Sequence, residues 1–267
     1  MSNLASRVLT AVVAIPLLAA LILWSHRLGF GVLVMLCAAL GMGEYTAMLL
    51  PRIARAQRVV IVATGSALTL ALYFSPELAL LWFVAALITC ATVLLLAPGE
   101  IAGAGARAGI VALGLFYVGG LMAPLALLHR QLPEGPLWVL TALGATFAND
   151  TGAYFMGRAF GRHKLYPTLS PGKTVEGAVG GLVWCVGALF LIRATFFRSL
   201  GVADCVLVAI PASVLGPAGD LFESMLKRSA GVKDSSHLIP GHGGILDRLD
   251  AVLFVGAWVY AYAGFIR

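Results

Sequence analysis

Over residues 224–250 an otherwise oily sequence turns polar, presenting Ser224, Lys227-Arg228, Lys233-Asp234, Pro240, Gly241-His242-Gly243-Gly244, Asp247-Arg248 and Asp250. Gly219, Asp220 and Glu223 lead into it without a break. If the lead-in is helical, Asp220, Glu223, Ser224 and Lys227 stand three to four residues apart and share one face. Carboxylates and an ammonium on one face suit a metal ion with a phosphate better than they suit a core. Further on, glycine and proline break helicity and let the backbone approach a ligand closely. Asp247 and Asp250 are again three apart, so a helix starting there aims both carboxylates the same way, near its positive end. A solvated charged loop is the plainer reading, but such a loop has no use for glycine pairs between same-face carboxylates.

Two further clusters carry chemistry. Asn149-Asp150-Thr151-Gly152-Ala153-Tyr154 falls towards the end of an apolar run, and a carboxylate at membrane depth implies either a function or a partner. Ser170-Pro171-Gly172-Lys173-Thr174-Val175-Glu176-Gly177 puts Lys173 just before an expected helix start, where a point charge joins free backbone N–H groups in an anion site. It lacks the spacing of a nucleotide-binding P-loop. Glu176 can equally be a helix-capping acid with no chemistry. His242, between glycines in a polar loop, suits phosphate contact, loop anchoring or proton transfer. Glu44, beside Tyr45 in an apolar run, has no role that the sequence assigns.

The elements that must position these groups are membrane helices. Of 267 residues 60% are hydrophobic and 11% charged, against about 25% charged in a soluble domain. Apolar stretches recur at about 8–24, 28–50, 58–74, 78–97, 108–129, 136–156, 174–197, 202–222 and 249–266. By the criterion of about 20 residues per span, the expectation is an all-α, polytopic integral membrane protein with about nine transmembrane helices. With no long polar linker it reads as one membrane domain, 1–267. Every lysine and aspartate lies beyond residue 149, so 1–135 reads mainly as scaffold and 136–267 as the catalytic half. The four cysteines are isolated within apolar runs, which disfavours zinc and a disulfide framework. The net charge of +6 does not point to nucleic acid, because its cations sit in loops between spans.

Alternating loops place most of the 18 lysines and arginines on the side of the N-terminus, which the positive-inside rule makes cytoplasmic. That bias comes from two polar loops, 157–173 and 227–248, which fall on the same side. The expectation is therefore a multi-pass protein of the cell's inner membrane with both active-site loops in the cytoplasm.

The run from Ser224 to Asp250 resembles the signature of phosphatidate cytidylyltransferase, the CDP-diacylglycerol synthase family, at every fixed position. The earlier clusters are similar to the family's Asp-Ala-Tyr and Ser-Pro-Lys-Lys-Thr-x-Glu-Gly motifs, with Gly172 replacing a lysine. The resemblance covers the second half by motifs and the first half by general hydropathy. It implies transfer of the cytidylyl group of CTP to phosphatidic acid, giving CDP-diacylglycerol and pyrophosphate, in a bilayer-embedded homodimer. Asp220, Asp247, Lys227, Arg228 and His242 would be catalytic. Asp150, Ser170, Lys173, Thr174, Glu176, Ser224, Lys233, Asp234, Gly243, Gly244 and Arg248 would bind substrate. Asp220, Asp247, Glu223 and Asp250 would hold Mg2+, with room for a second cation. Magnesium neutralises charges that would repel each other in such a transfer, and in-line displacement releases pyrophosphate. A CTP-dependent lipid-alcohol kinase, or an ion-coupled transporter with carboxylates in its spans, remains the alternative.

Overall fold

The computed structural model describes residues 16–23, 27–238 and 243–267. A long apolar run has one option in lipid: without water for its N–H and C=O groups, it must close its own hydrogen bonds as a helix. The chain accordingly forms α1 (16–23), α2 (Arg27–Leu49), α3 (Arg55–Phe74), α4 (Ala79–Leu96), α5 (Ala104–Gly114), α6 (Leu121–Gln131) and α7 (Gly135–Phe160). A hairpin of β1 (Lys164–Tyr166) and β2 (Ser170–Thr174) follows, then α8 (Val175–Thr195), α9 (Val202–Ser229) and α10 (Leu246–Ala261). Among the described residues, 7 helical stretches are long and apolar enough to cross a membrane. The chain is an all-α polytopic membrane protein.

The expected spans map onto these helices with three differences. The span at 8–24 lies largely outside the described residues. The span at 136–156 is α7, which runs on to Phe160 and is not among the seven, since Asn149, Asp150 and Arg158 interrupt its apolar surface. The span at 202–222 continues to Ser229 as a helix of 28 residues. At 1.5 Å per residue that is roughly 42 Å, longer than a hydrocarbon core of about 30 Å, so the polar C-terminal turns can stand clear of the lipid. The loop expected at 157–173 is also more ordered than its sequence suggests. Lys164 pairs with Thr174 and Tyr166 with Ser170, and Lys164 Nζ closes the hairpin by donating to Pro171 O at 2.7 Å.

Helices in lipid associate through close van der Waals packing more than through hydrophobic burial, so small residues mark their crossings. At Gly152 a Cβ would stand 2.5 Å from Trp184 Cβ, which is how closely α7 lies on α8. At Gly219 only hydrogen separates α9 from the carbonyl of Asp250, bringing the acidic ends of α9 and α10 together. Within α5–α6 a wide turn at Leu115–Gly120 frees the Gly119 carbonyl, and Thr69 Oγ1 of α3 donates to it at 2.7 Å. Met42, Leu115, Met122, Leu246 and Leu253 are fully buried where these helices meet.

Candidate active site

The end of α9 carries the face its spacing predicts. Ser224 Oγ donates to Asp220 Oδ1 at 3.3 Å, one turn back. Lys227 Nζ donates to Glu223 Oε2 at 2.6 Å and to Asp247 Oδ1 of α10 at 2.6 Å. Glu223 is completely buried and Lys227 is 9% exposed. Charges so far from water are tolerated when compensated at this range, and one ammonium here serves two carboxylates.

Asp247 is held at its other oxygen too. Its Oδ2 accepts from Gly244 N at 2.8 Å, Ser235 N at 2.9 Å and Ser235 Oγ at 2.8 Å. The two glycines of the signature have separate steric reasons. Gly243 has a φ of +78°, a left-handed conformation that costs glycine little, and a Cβ there would stand 2.6 Å from Asp247 Oδ2. At Gly244 a Cβ would stand 2.5 Å from Glu44 Oε2. Glu44 reaches in from α2, and nothing in the sequence links it to this loop. The one available signal was a carboxylate inside an apolar span.

A second cluster forms a cavity of about 530 Å³ between α7, the hairpin, α8 and α9. Asp150, Tyr154, Arg158, Ser170, Lys173, Thr174, Pro217 and Asp220 line it, with Gly157 and Gly177 at its floor. Lys173 Nζ pairs with Asp220 Oδ2 at 2.8 Å and donates to Pro217 O at 3.3 Å. Thr174 caps α8, its Oγ1 accepting from Gly177 N at 3.1 Å. Lys173 therefore sits one residue before a helix N-terminus, where free N–H groups and the helix dipole favour an anion.

Other expected site residues lie elsewhere. Glu176 accepts from Arg162 N and His163 N and pairs with His163 Nδ1 at 2.6 Å, so it secures the turn before the hairpin. Arg228 Nη1 is spent on Val232 O at 3.1 Å, and Lys233, Asp234 and Arg248 are exposed, with no side-chain partner among the described residues. His242 lies outside the described residues. Asn149, beside Asp150, is 1% exposed, and neither of its amide atoms has a partner among the described residues.

The profile of the cytidylyltransferase family matches residues 5–266 of this sequence. The chain belongs to that family. It is 45% identical over 129 residues to a phosphatidate cytidylyltransferase of Staphylococcus saprophyticus, covering 48% of this chain and 49% of that protein. Its identity to the phosphatidate cytidylyltransferase of Bacillus subtilis is 38% over 157 residues, 57% of this chain and 56% of the relative. With that of Pseudomonas aeruginosa it is 39% over 206 residues, 73% of each. The chain spans about half the length of the first two relatives.

The acidic residues expected to bind metal do not form one converging set. Among the described residues no three His, Cys, Asp or Glu side chains are grouped so as to hold a metal ion. Lys227 occupies the space between Glu223 and Asp247, and Asp247 has its remaining acceptor capacity taken by Ser235 and Gly244. Lys227 likewise does not line the cavity as a free phosphate-binding cation; its buried position demands the counterions it has. What remains does fit a divalent ion of modest protein demand. Asp220 lines the cavity, the backbone of Asp250 packs on α9 at the adjoining Gly219, and the buried Glu223 Oε1 has no hydrogen-bond donor among the described residues. Magnesium takes one or two carboxylates and completes its octahedron with waters and substrate phosphate oxygens. The family departure at Gly172 is harmless sterically, since among the described residues nothing beyond its chain neighbours lies within 4 Å of where its Cβ would stand.

Proposed function

We propose that the protein transfers the cytidylyl group of CTP to phosphatidic acid, forming CDP-diacylglycerol and pyrophosphate. The observation that carries this reading is the cavity where Lys173 and Asp220 face each other at 2.8 Å, beside the capped N-terminus of α8 and at the ends of membrane helices. A water-soluble triphosphate and a membrane-held phosphate can meet there. Membership of the cytidylyltransferase family and the names of the relatives support the same choice of substrates.

In the transfer, a phosphate oxygen of the lipid attacks the α-phosphorus of CTP and forms the new P–O bond. The bond from that phosphorus to the oxygen bridging to the β-phosphate breaks, and pyrophosphate leaves with the electron pair. Lys173 and the N–H groups opening α8 hold phosphate oxygens against the acidic wall. Thr174 fixes that helix end, and Asp150 faces the same space from α7. Asp220 and Asp250 would hold magnesium, with Glu223 behind them and Asp247 oriented beside them. The ion would supply neutralisation of the negative charges that oppose the approach of two phosphates. The lipid phosphate is already anionic near neutral pH, so no general base is required of His242.

The proposal includes an inner-membrane location with the hairpin and the 230–245 connection in the cytoplasm, where CTP is made, and assembly as a homodimer, as the family resemblance implies. Purified protein given phosphatidic acid, CTP and magnesium should yield CDP-diacylglycerol and one pyrophosphate per turnover. Release of CDP instead would assign a kinase, and no nucleotide turnover under these conditions would overturn the reading.

A further inference from the structure

Glu44 sits on α2, in the half of the chain that contains no lysine or aspartate, and it is 8% exposed. A buried carboxylate is costly unless it is paired or fully hydrogen-bonded. No ion pair among the described residues includes it; four donors among them compensate it. Ser236 Oγ donates to Oε1 at 2.7 Å and Ser235 Oγ to Oε2 at 3.1 Å. Ile245 N donates to Oε1 at 2.9 Å and Leu246 N to Oε2 at 2.9 Å. The last two are unpaired N–H groups at the start of α10, where the helix dipole favours a negative charge.

One carboxylate thus ties together the two ends of the 235–246 connection, from a helix about two hundred positions earlier in the chain. The tie runs on to Asp247. Ser235 Oγ lies between Glu44 Oε2 and Asp247 Oδ2 and has a single proton for them to share. Gly244, whose missing side chain admits Glu44, also donates its N–H to Asp247 Oδ2. Every described donor to Asp247 Oδ2 therefore belongs to a residue that Glu44 touches.

We propose that Glu44 is a positioning residue for the reaction: it fixes the orientation of Asp247, and with it Lys227, by clamping Ser235, Ser236 and the first turn of α10. This rests on the cytidylyl-transfer reading. The cavity residues Lys173 and Asp220 have no contact with Glu44, so a loosened clamp should affect the chemical step more than nucleotide capture.

The test is steady-state kinetics on monodisperse protein in phosphatidic acid micelles. Glu44→Gln keeps the shape but turns one acceptor oxygen into a donor facing donors. We expect kcat to fall at least about tenfold, the equivalent of roughly 1.4 kcal/mol in the barrier, with KM for CTP changed less than threefold. Ser235→Ala combined with Glu44→Gln should lose little more than the worse single variant, because both act on the same orientation of Asp247. Hydrogen exchange at the Ile245 and Leu246 amides should quicken. Unchanged kcat, a loss confined to KM, or fully additive losses would overturn the proposal. Wild-type protein that makes no CDP-diacylglycerol would instead refute the activity, and the exchange measurement would still judge the clamp. If Glu44→Gln does not fold, Ser236→Ala removes one of the four donors; it should lower kcat severalfold at constant KM, and an unaltered kcat would sink the idea.

Discussion

Lys227→Met is the perturbation that tests whether Lys227 is a structural counterion or a free phosphate-binding cation. Methionine matches the length of the lysine stem, so the change removes the charge and leaves little void. In the native arrangement the ammonium lies 2.6 Å from Glu223 and 2.6 Å from Asp247, whose side chains are 0% and 5% exposed. Removing it leaves two carboxylates facing each other away from water. Deleting one partner of a buried pair typically costs about 3–5 kcal/mol. In a chain of this size that corresponds to a fall in the unfolding midpoint of roughly 6–20 °C, at about 2–4 °C per kcal/mol. The assay is thermal unfolding in a mild detergent, followed by intrinsic fluorescence and by loss of the monodisperse peak. Adding Glu223→Gln to Lys227→Met removes one of the stranded charges and should restore about half of the lost midpoint, since the interaction belongs to the pair and not to either residue. A single variant that melts like wild type would refute the counterion reading. So would a double variant that is the sum of its parts.

Lys173→Ala should raise KM for CTP roughly 10- to 100-fold, the worth of one charge-assisted hydrogen bond, and Lys173→Arg should recover only part of it in a pyrophosphate-release assay. Asp220→Asn should abolish turnover at every magnesium concentration while leaving the melting curve near wild type; wild-type enzyme should lose activity in EDTA and regain it with magnesium. Gly244→Ala should be inactive and less stable, because its Cβ would press on Glu44, whereas Gly172→Lys should melt like wild type because that position opens on empty space. Single cysteines at Arg162 and Asp234, in a Cys37→Ser background, should react with an impermeant thiol reagent only after cells are opened, and one at Arg198 should react in intact cells; of the four native thiols Cys37 is half-buried, while Cys90, Cys185 and Cys205 are buried and give little background.

The sequence by itself determined the membrane class and most of the helices, because a long apolar run in lipid has no alternative to helix. It also singled out the polar stretches on which chemistry could be placed. Charge is so expensive among apolar spans that Asp150, Lys173, Asp220 and the 224–250 run stand out, and the face shared by Asp220, Glu223, Ser224 and Lys227 follows from helical periodicity alone. Tertiary structure decided how those residues divide. Spacing along one helix puts Lys227 among the phosphate ligands; only the crossing of α9 and α10 at Gly219 brings Asp247 to its other side and makes it a counterion. Spacing likewise makes Glu176 a neighbour of Lys173, yet the hairpin turns it towards His163. Glu44 is the clearest case. Its partners Ser235 and Leu246 lie 191 and 202 positions away, and no local pattern encodes a contact at that separation. Helical periodicity is a property of neighbours in the chain, whereas the compensation of a buried charge depends on whatever the packed helices bring within hydrogen-bonding distance.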